Sequence, residues 1–137
     1  MTHRTENDSA WRERTLPGLI DTLGPLLVKQ ENKQWFFGLR MGQEHLNPLG
    51  IVHGGTITTL MDQAISTTAW AHLNKSPCVT VQLNVSFLGS AKPGDLLVAS
   101  AKVIKATGSL VFVEGTVNVN DTIIATAQGV MKRIKSS

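Results

Sequence analysis

The sequence predicts an α+β fold in which one antiparallel sheet curls over one long helix. Three observations predict it. The stretch 54–73 places apolar residues at helical spacing and carries a single formal charge, Asp62. Everything after Pro77 alternates apolar and polar residues with period two. The alternating runs exceed ten residues, against about five or six for an ordinary strand, and long strands in a twisted sheet curve. Wrapping such a sheet around the helix buries both apolar surfaces at once.

Each element has its own signals. Residues 1–14 are polar and read as a tail, with a single domain over 15–137. A short helix is expected over 15–24. Thr15 can cap it, Pro17 suits its first turn, Leu16, Leu19, Ile20 and Leu23 form its stripe, and Gly24-Pro25 ends it. Extended segments follow over 26–30 and 34–41, separated by Glu31, Asn32 and Lys33. In the second, Trp35, Phe37, Leu39 and Met41 alternate with Gln34, Phe36, Gly38 and Arg40. After a polar loop over 42–50 comes the long helix, with Ile57, Leu60, Met61, Ala64, Ile65 and Thr68 on its stripe. In the first strand beyond it, Val79, Val81, Leu83, Val85 and Phe87 read as one face and Thr80, Gln82, Asn84 and Ser86 as the other. Strands over 96–106, 109–119 and 122–134 follow, with turns at Pro93-Gly94, Thr107-Gly108 and Asn120-Asp121. Connections this short place consecutive strands side by side.

Composition bounds the function. With 137 residues the chain suits one core, and 42% hydrophobic against 17% charged residues is too apolar for intrinsic disorder. No apolar run reaches the roughly 18 residues of a membrane span, and the first fourteen residues lack the apolar stretch of a secretory signal. One cysteine, Cys78, makes no internal disulfide, so a cytoplasmic protein is expected. The net charge is +3, and the basic excess lies partly at the ends, at Arg4, Arg12 and Arg14 in front and Lys132, Arg133 and Lys135 behind. These read as solvated termini. Neither base-stacking aromatics nor a reader motif accompanies them, so no nucleic-acid partner is expected.

The segment 47–62, N-P-L-G-I-V-H-G-G-T-I-T-T-L-M-D, carries the chemistry. His53, Gly54 and Gly55 stand where the long helix begins. Two glycines leave the first helical N–H groups open, and the helix dipole makes them attractive to an oxyanion or polarised carbonyl. Asp62 lies two turns on, about 110° from the centre of the apolar stripe, and is expected to face away from the helix's own sheet. A carboxylate there needs partners or a task. Asn47, in the preceding loop, has an amide able to orient a substrate oxygen or a water. Singly, each has an ordinary explanation: tight packing at the glycines, a cap at His53, a salt bridge at Asp62, a turn at Asn47. His45, His53 and Asp62 lack the spacing of a zinc site, and nothing pairs Cys78 with a base, so no metal is expected.

With these residues in view, the chain resembles the hotdog-fold acyl-CoA thioesterases, most closely their PaaI-like branch. The match runs through Asn47, Gly50, His53, Gly54, Gly55, Leu60 and Asp62 and continues over 79–95, V-T-V-Q-L-N-V-S-F-L-G-S-A-K-P-G-D. An Asp at position 62, where other hotdog thioesterases place a Glu on this helix, favours that branch. The resemblance implies a curved sheet around a central helix, assembly as a homodimer or dimer of dimers, active sites between subunits, and acyl-CoA as substrate with no further cofactor. It implies that the Gly54 N–H polarises the thioester carbonyl and that Asp62 of the facing subunit acts as nucleophile or general base. Asn47 then positions the reacting groups, His53 shapes the loop, and Thr80 stands where the branch carries a Ser or Thr that holds water. Gly55, Ile57, Met61, Phe87 and the Trp35–Phe37 cluster are candidates for the acyl pocket, with plain core as the competing reading. Lys92 and Arg133 are candidates for the CoA phosphates. Two other readings of the same residues are a hotdog enoyl-CoA hydratase or dehydratase, with His53 as its histidine, and a non-catalytic acyl-CoA-binding domain. The second needs an attached effector domain, for which the chain has no room.

Overall fold

The computed structural model describes residues 10–134. In chain order these form β1 (Arg12–Arg14), α1 (Leu19–Thr22), β2 (Leu26–Glu31), β3 (Gln34–Arg40), a 3-10 turn (Gln43–His45), α2 (Gly54–His72), β4 (Cys78–Phe87), β5 (Leu96–Ala106), β6 (Leu110–Val119) and β7 (Thr122–Arg133). The strands make one antiparallel seven-stranded sheet in the order β1-β2-β3-β5-β6-β7-β4. α2 packs across its concave face.

The core lies between α2 and this sheet. Leu60, Met61, Ala64, Ile65 and Ala69 of α2 are fully buried against Leu97, Ala99, Val111, Val117 and Ala125. The helix approaches so closely that β6 carries a glycine beneath it. A Cβ on Gly115 would stand 2.9 Å from Met61 Sδ and 3.2 Å from the Ser100 carbonyl oxygen. Gly115→Ala is therefore expected to destabilise the fold by about 1–3 kcal/mol through overpacking. Urea denaturation should show a lower midpoint at an unchanged slope.

The long helix, the β2–β3 hairpin and the later strands lie within a residue or so of the expected bounds. Four expectations do not hold. Helix α1 is a single turn, Leu19–Thr22, and its N-cap is Gly18, not Thr15. Gly18 and Gly24 both have positive φ, 112° and 124°, and these left-handed positions break the helix at either end. The end of the expected tail is ordered into the sheet: Arg12, Glu13 and Arg14 pair with Val28, Leu27 and Leu26. Residues 1–9 lie outside the described part. The third difference is topological. β4 and β5 are joined by a short loop, yet they are not neighbours. β5 pairs with β3 and β6, whereas β4, at the sheet's far edge, pairs among the described residues with β7 alone. The sheet has to enclose a helix, so it curls and brings its edge back within a loop's reach.

The fourth difference concerns the faces of β4. Thr80 pairs with Met131 and Gln82 with Val130, so Val81 is an extra residue in a β-bulge. The alternation changes phase there. Cys78 and Thr80 face α2 before the bulge; Leu83, Val85 and Phe87 do so after it. Val79 and Val81, expected on one face with Leu83, Val85 and Phe87, are 45% and 52% exposed.

The two edges of the sheet differ in kind. β1 is three residues long and wholly charged, a protected edge. β4 is ten residues long, with no charge and no proline along its open side.

Candidate active site

The site begins with the turn into α2. The chain doubles back through a Leu46–Val52 bridge, and Asn47 N–H donates to the Ile51 carbonyl at 2.8 Å. The Asn47 side-chain oxygen accepts from the backbone N–H groups of Leu49, at 2.9 Å, and Ile51, at 3.4 Å. This Asx turn commits the oxygen to the loop and leaves the amide NH2 as the group available to an outside acceptor.

His53 is the N-cap of α2. Its Nδ1 accepts from the Gly55 N–H at 3.0 Å, and its carbonyl accepts from Thr56, at 2.9 Å, and Ile57, at 3.4 Å. An accepting Nδ1 makes the ring the neutral tautomer with its proton on Nε2. Of the first-turn donors, this leaves one without a partner among the described residues, the Gly54 N–H. Here the helix's unsatisfied donor and the positive end of its dipole coincide. Phe87 covers the Gly54 α-carbon so closely that a Cβ there would lie 3.2 Å from the ring.

Asp62 sits two turns further along α2, half-buried at the flank beside β4. Contrary to the wheel reading, it does not turn away from its own sheet: Thr80 Oγ1 donates to its Oδ1 at 2.7 Å. The Val81 bulge makes this contact, because unbroken alternation would hold Thr80 on the same face as Gln82. Thr80 Oγ1 also lies 3.4 Å from Met131 Sδ. Asp62 takes part in no ion pair among the described residues, so the Thr80 hydroxyl orients its carboxylate.

The remaining candidates separate. Ile57 and Met61, 2% and 0% exposed, belong to the core and present no surface to a ligand. Gly55 has its N–H engaged by His53. Lys92 is exposed on the β4–β5 loop, where the neighbouring Ala91 carbonyl accepts the Val52 N–H at 2.9 Å. Lys92 thus stands near the glycine turn. Arg133 is exposed at the end of β7 opposite Cys78, two residues from Met131. Trp35 and Phe37 line an apolar groove of about 380 Å³ with Leu16, Leu26, Val28 and Trp70. Burial pushes the Cys78 thiol up from its ordinary pKa, which leaves it further from a thiolate nucleophile. His45 is neither exposed nor open to a metal, since both ring nitrogens are hydrogen-bonded.

Within one chain, Gly54 and Asp62 lie eight residues apart on a single helix, about 12 Å of axial rise. A donor and a base acting on one carbonyl must each come within about 3 Å of it. One chain holds both parts but does not bring them together.

One antiparallel sheet packed around one long helix is the architecture of the hotdog fold. The family model of the thioesterase superfamily matches residues 49–124. The chain belongs to that superfamily, and its enzymatic class is that of the thioester hydrolases. A Pseudomonas aeruginosa protein carrying an esterase designation, PA0474, is 32% identical over 82% of this chain and 85% of its own length. Mouse acyl-coenzyme A thioesterase 13 is 33% identical over 63% of this chain, which spans 61% of the mouse protein. Among solved structures, the phenylacetic acid degradation-related protein of Ralstonia eutropha JMP134 superposes with a TM-score of 0.77 at 25% identity, covering 87% of this chain and 92% of that one. The BH2602 protein of Bacillus halodurans, solved with CoA, superposes with a TM-score of 0.73 at 26% identity, covering 79% and 72%.

Proposed function

We propose that the protein hydrolyses the thioester of an aryl- or short- to medium-chain acyl-CoA, releasing the free acid and CoA, at sites shared between two copies of the chain. The observation that carries this reading is the split of the machinery along α2. The Gly54 N–H, the one first-turn donor without a partner among the described residues, and the oriented carboxylate of Asp62 are complementary but too far apart within a chain. The uncharged β4 edge offers a surface on which a second copy can extend the sheet and bring its Asp62 toward the first chain's Gly54.

In this reading the substrate carbonyl oxygen accepts a hydrogen bond from Gly54 N–H, and the Asn47 NH2 orients the substrate. Asp62 of the other chain, held by Thr80, accepts a proton from water as the water oxygen bonds to the carbonyl carbon. The tetrahedral oxyanion collapses, the C–S bond breaks, and the departing thiolate takes up a proton. Alternatively Asp62 attacks directly and water cleaves the mixed anhydride. A thiolate leaves readily, so a carboxylate and an oxyanion donor suffice. Lys92, beside the glycine turn, and Arg133 are the candidate partners of the CoA phosphates. The CoA held by BH2602 and the name of acyl-coenzyme A thioesterase 13 support the choice of thioester. A dimer of dimers is the proposed assembly.

The test is release of free thiol from a panel of aromatic and C2 to C16 acyl-CoAs, with 2-enoyl-CoA hydration measured alongside. Thiol release from at least one class supports the reading. Hydration without release, or no turnover of any substrate, rejects it. Labelled-water incorporation under single turnover separates general base from nucleophile, since only direct attack places enzyme oxygen in the first product.

A further inference from the structure

His45 is buried, 3% exposed, and belongs to none of the catalytic groups. Its position is nonetheless over-determined. Nδ1 accepts from the Gly42 N–H at 2.8 Å, and Nε2 donates to the Leu23 carbonyl just beyond α1. One nitrogen accepts and the other donates, so the ring is held in a single neutral tautomer. The backbone of the same residue reaches the other way. Its carbonyl accepts the His53 N–H at 2.8 Å and the hydroxyl of Thr56, itself buried, at 3.5 Å. His45 thus joins the end of α1, the 3-10 turn after β3 and the N-terminus of α2.

We propose that His45 is a positioning residue for the oxyanion turn: its ring fixes the carbonyl that anchors His53, and through His53 it sets the direction of the Gly54 N–H. This rests on the reading of Gly54 as the oxyanion donor. The physical reason is that the turn's own side chains do little to hold it, and the support beside it, the Leu46–Val52 bridge and the Val52 N–H on the Ala91 carbonyl, ends one residue before His53. Gly54 and Gly55 supply no side chains, and the His53 ring is spent on capping Gly55. Rigidity has to come from the layer beneath, and a residue bonded at both ring nitrogens and at its carbonyl provides it. A donor misplaced by about 1 Å costs on the order of a hundredfold in rate.

The experiment compares wild type, His45→Ala and His45→Asn. Alanine removes both ring bonds. Asparagine restores an acceptor at the position of Nδ1 for Gly42, but does not reach Leu23. The readouts are kcat and KM per folded enzyme, and the amide resonance and hydrogen exchange of Gly54 by NMR. The expected result is a roughly tenfold to hundredfold fall in kcat for alanine, with KM within about twofold, a shifted Gly54 amide with faster exchange, and partial recovery of both in asparagine. If alanine does not fold, asparagine and Thr56→Val, which removes a second bond to the same carbonyl, provide the comparison. Wild-type kcat with an unmoved Gly54 amide, even at a lowered Tm, makes His45 a structural residue only and overturns the proposal. The amide readout needs no turnover, so it decides the positioning claim even if the thiol-release panel rejects thioester hydrolysis.

Discussion

Asp62→Asn is expected to fold normally and to lower kcat for acyl-CoA hydrolysis by about two to four orders of magnitude. The substitution isolates charge from geometry. An asparagine side-chain oxygen still accepts from Thr80 Oγ1, which now lies 2.7 Å from the carboxylate, so the side chain keeps its orientation. No ion pair among the described residues involves Asp62, so no cation is stranded by the change. Asp62 is only half-buried, and Tm should move little. The basic lone pair is lost: an amide oxygen neither takes a proton from water near neutral pH nor attacks a carbonyl. Turnover of the best substrate, with calorimetric binding of a non-hydrolysable acyl-CoA analogue, checks this. Binding within about threefold together with lost turnover places Asp62 in the chemical step. Near-normal turnover removes it from the mechanism.

The parts of this molecule that were legible beforehand depend on local physics. α2 stood out because a helix buried along one side needs a continuous apolar stripe and few charges, and its cap, His53, lies where the glycines begin. The hairpin loops were legible for a similar reason. Asn32, Lys33 and Asn120 adopt positive φ, and such positions select Asn and a few other residues. What was not legible depends on partners distant in sequence. The placement of β5 beside β3 answers to closure of the sheet around α2, which no window of residues records. The Val81 bulge adds one residue against β7 without a glycine to mark it, so the alternation of β4 read as unbroken. That single residue decides whether Thr80 meets Asp62. The resemblance pointed to Thr80, but only the register explains how it reaches the acid. The bonds of the His45 ring leave no signature in the sequence, because its partner Leu23 lies 22 residues away. Ile57 and Met61 looked the same as pocket or core, since both uses ask for the same apolar side chain.

The second large effect tests the division of the site between chains. Gly54→Pro removes the N–H and puts a pyrrolidine ring in its place. Gly54 is the first residue of α2, the position where proline is most at home in a helix. His53 precedes it at φ −65°, ψ 136°, in the extended region that a following proline demands. The added ring presses on the movable tip of Phe87. The variant should fold, pair and lose roughly two to three orders of magnitude in kcat, the usual cost of one oxyanion donor. Mixed with Asp62→Asn under conditions that exchange subunits, two nearly inactive proteins should become active. In a heterodimer of the two variants, one site receives both defects. The other receives an intact Asp62 from one chain and an intact Gly54 N–H from its partner. That species should show about half the activity of a wild-type dimer, since one of two sites is whole. The restored activity should follow the heterodimer fraction counted by native mass spectrometry, and a charge placed on the β4 edge, as in Val79→Lys, should abolish both pairing and restoration. If acid and donor served one carbonyl within a single chain, every subunit in the mixture would remain defective. Heterodimers that form and stay inactive would establish that arrangement, against the axial separation of about 12 Å that α2 imposes between Gly54 and Asp62.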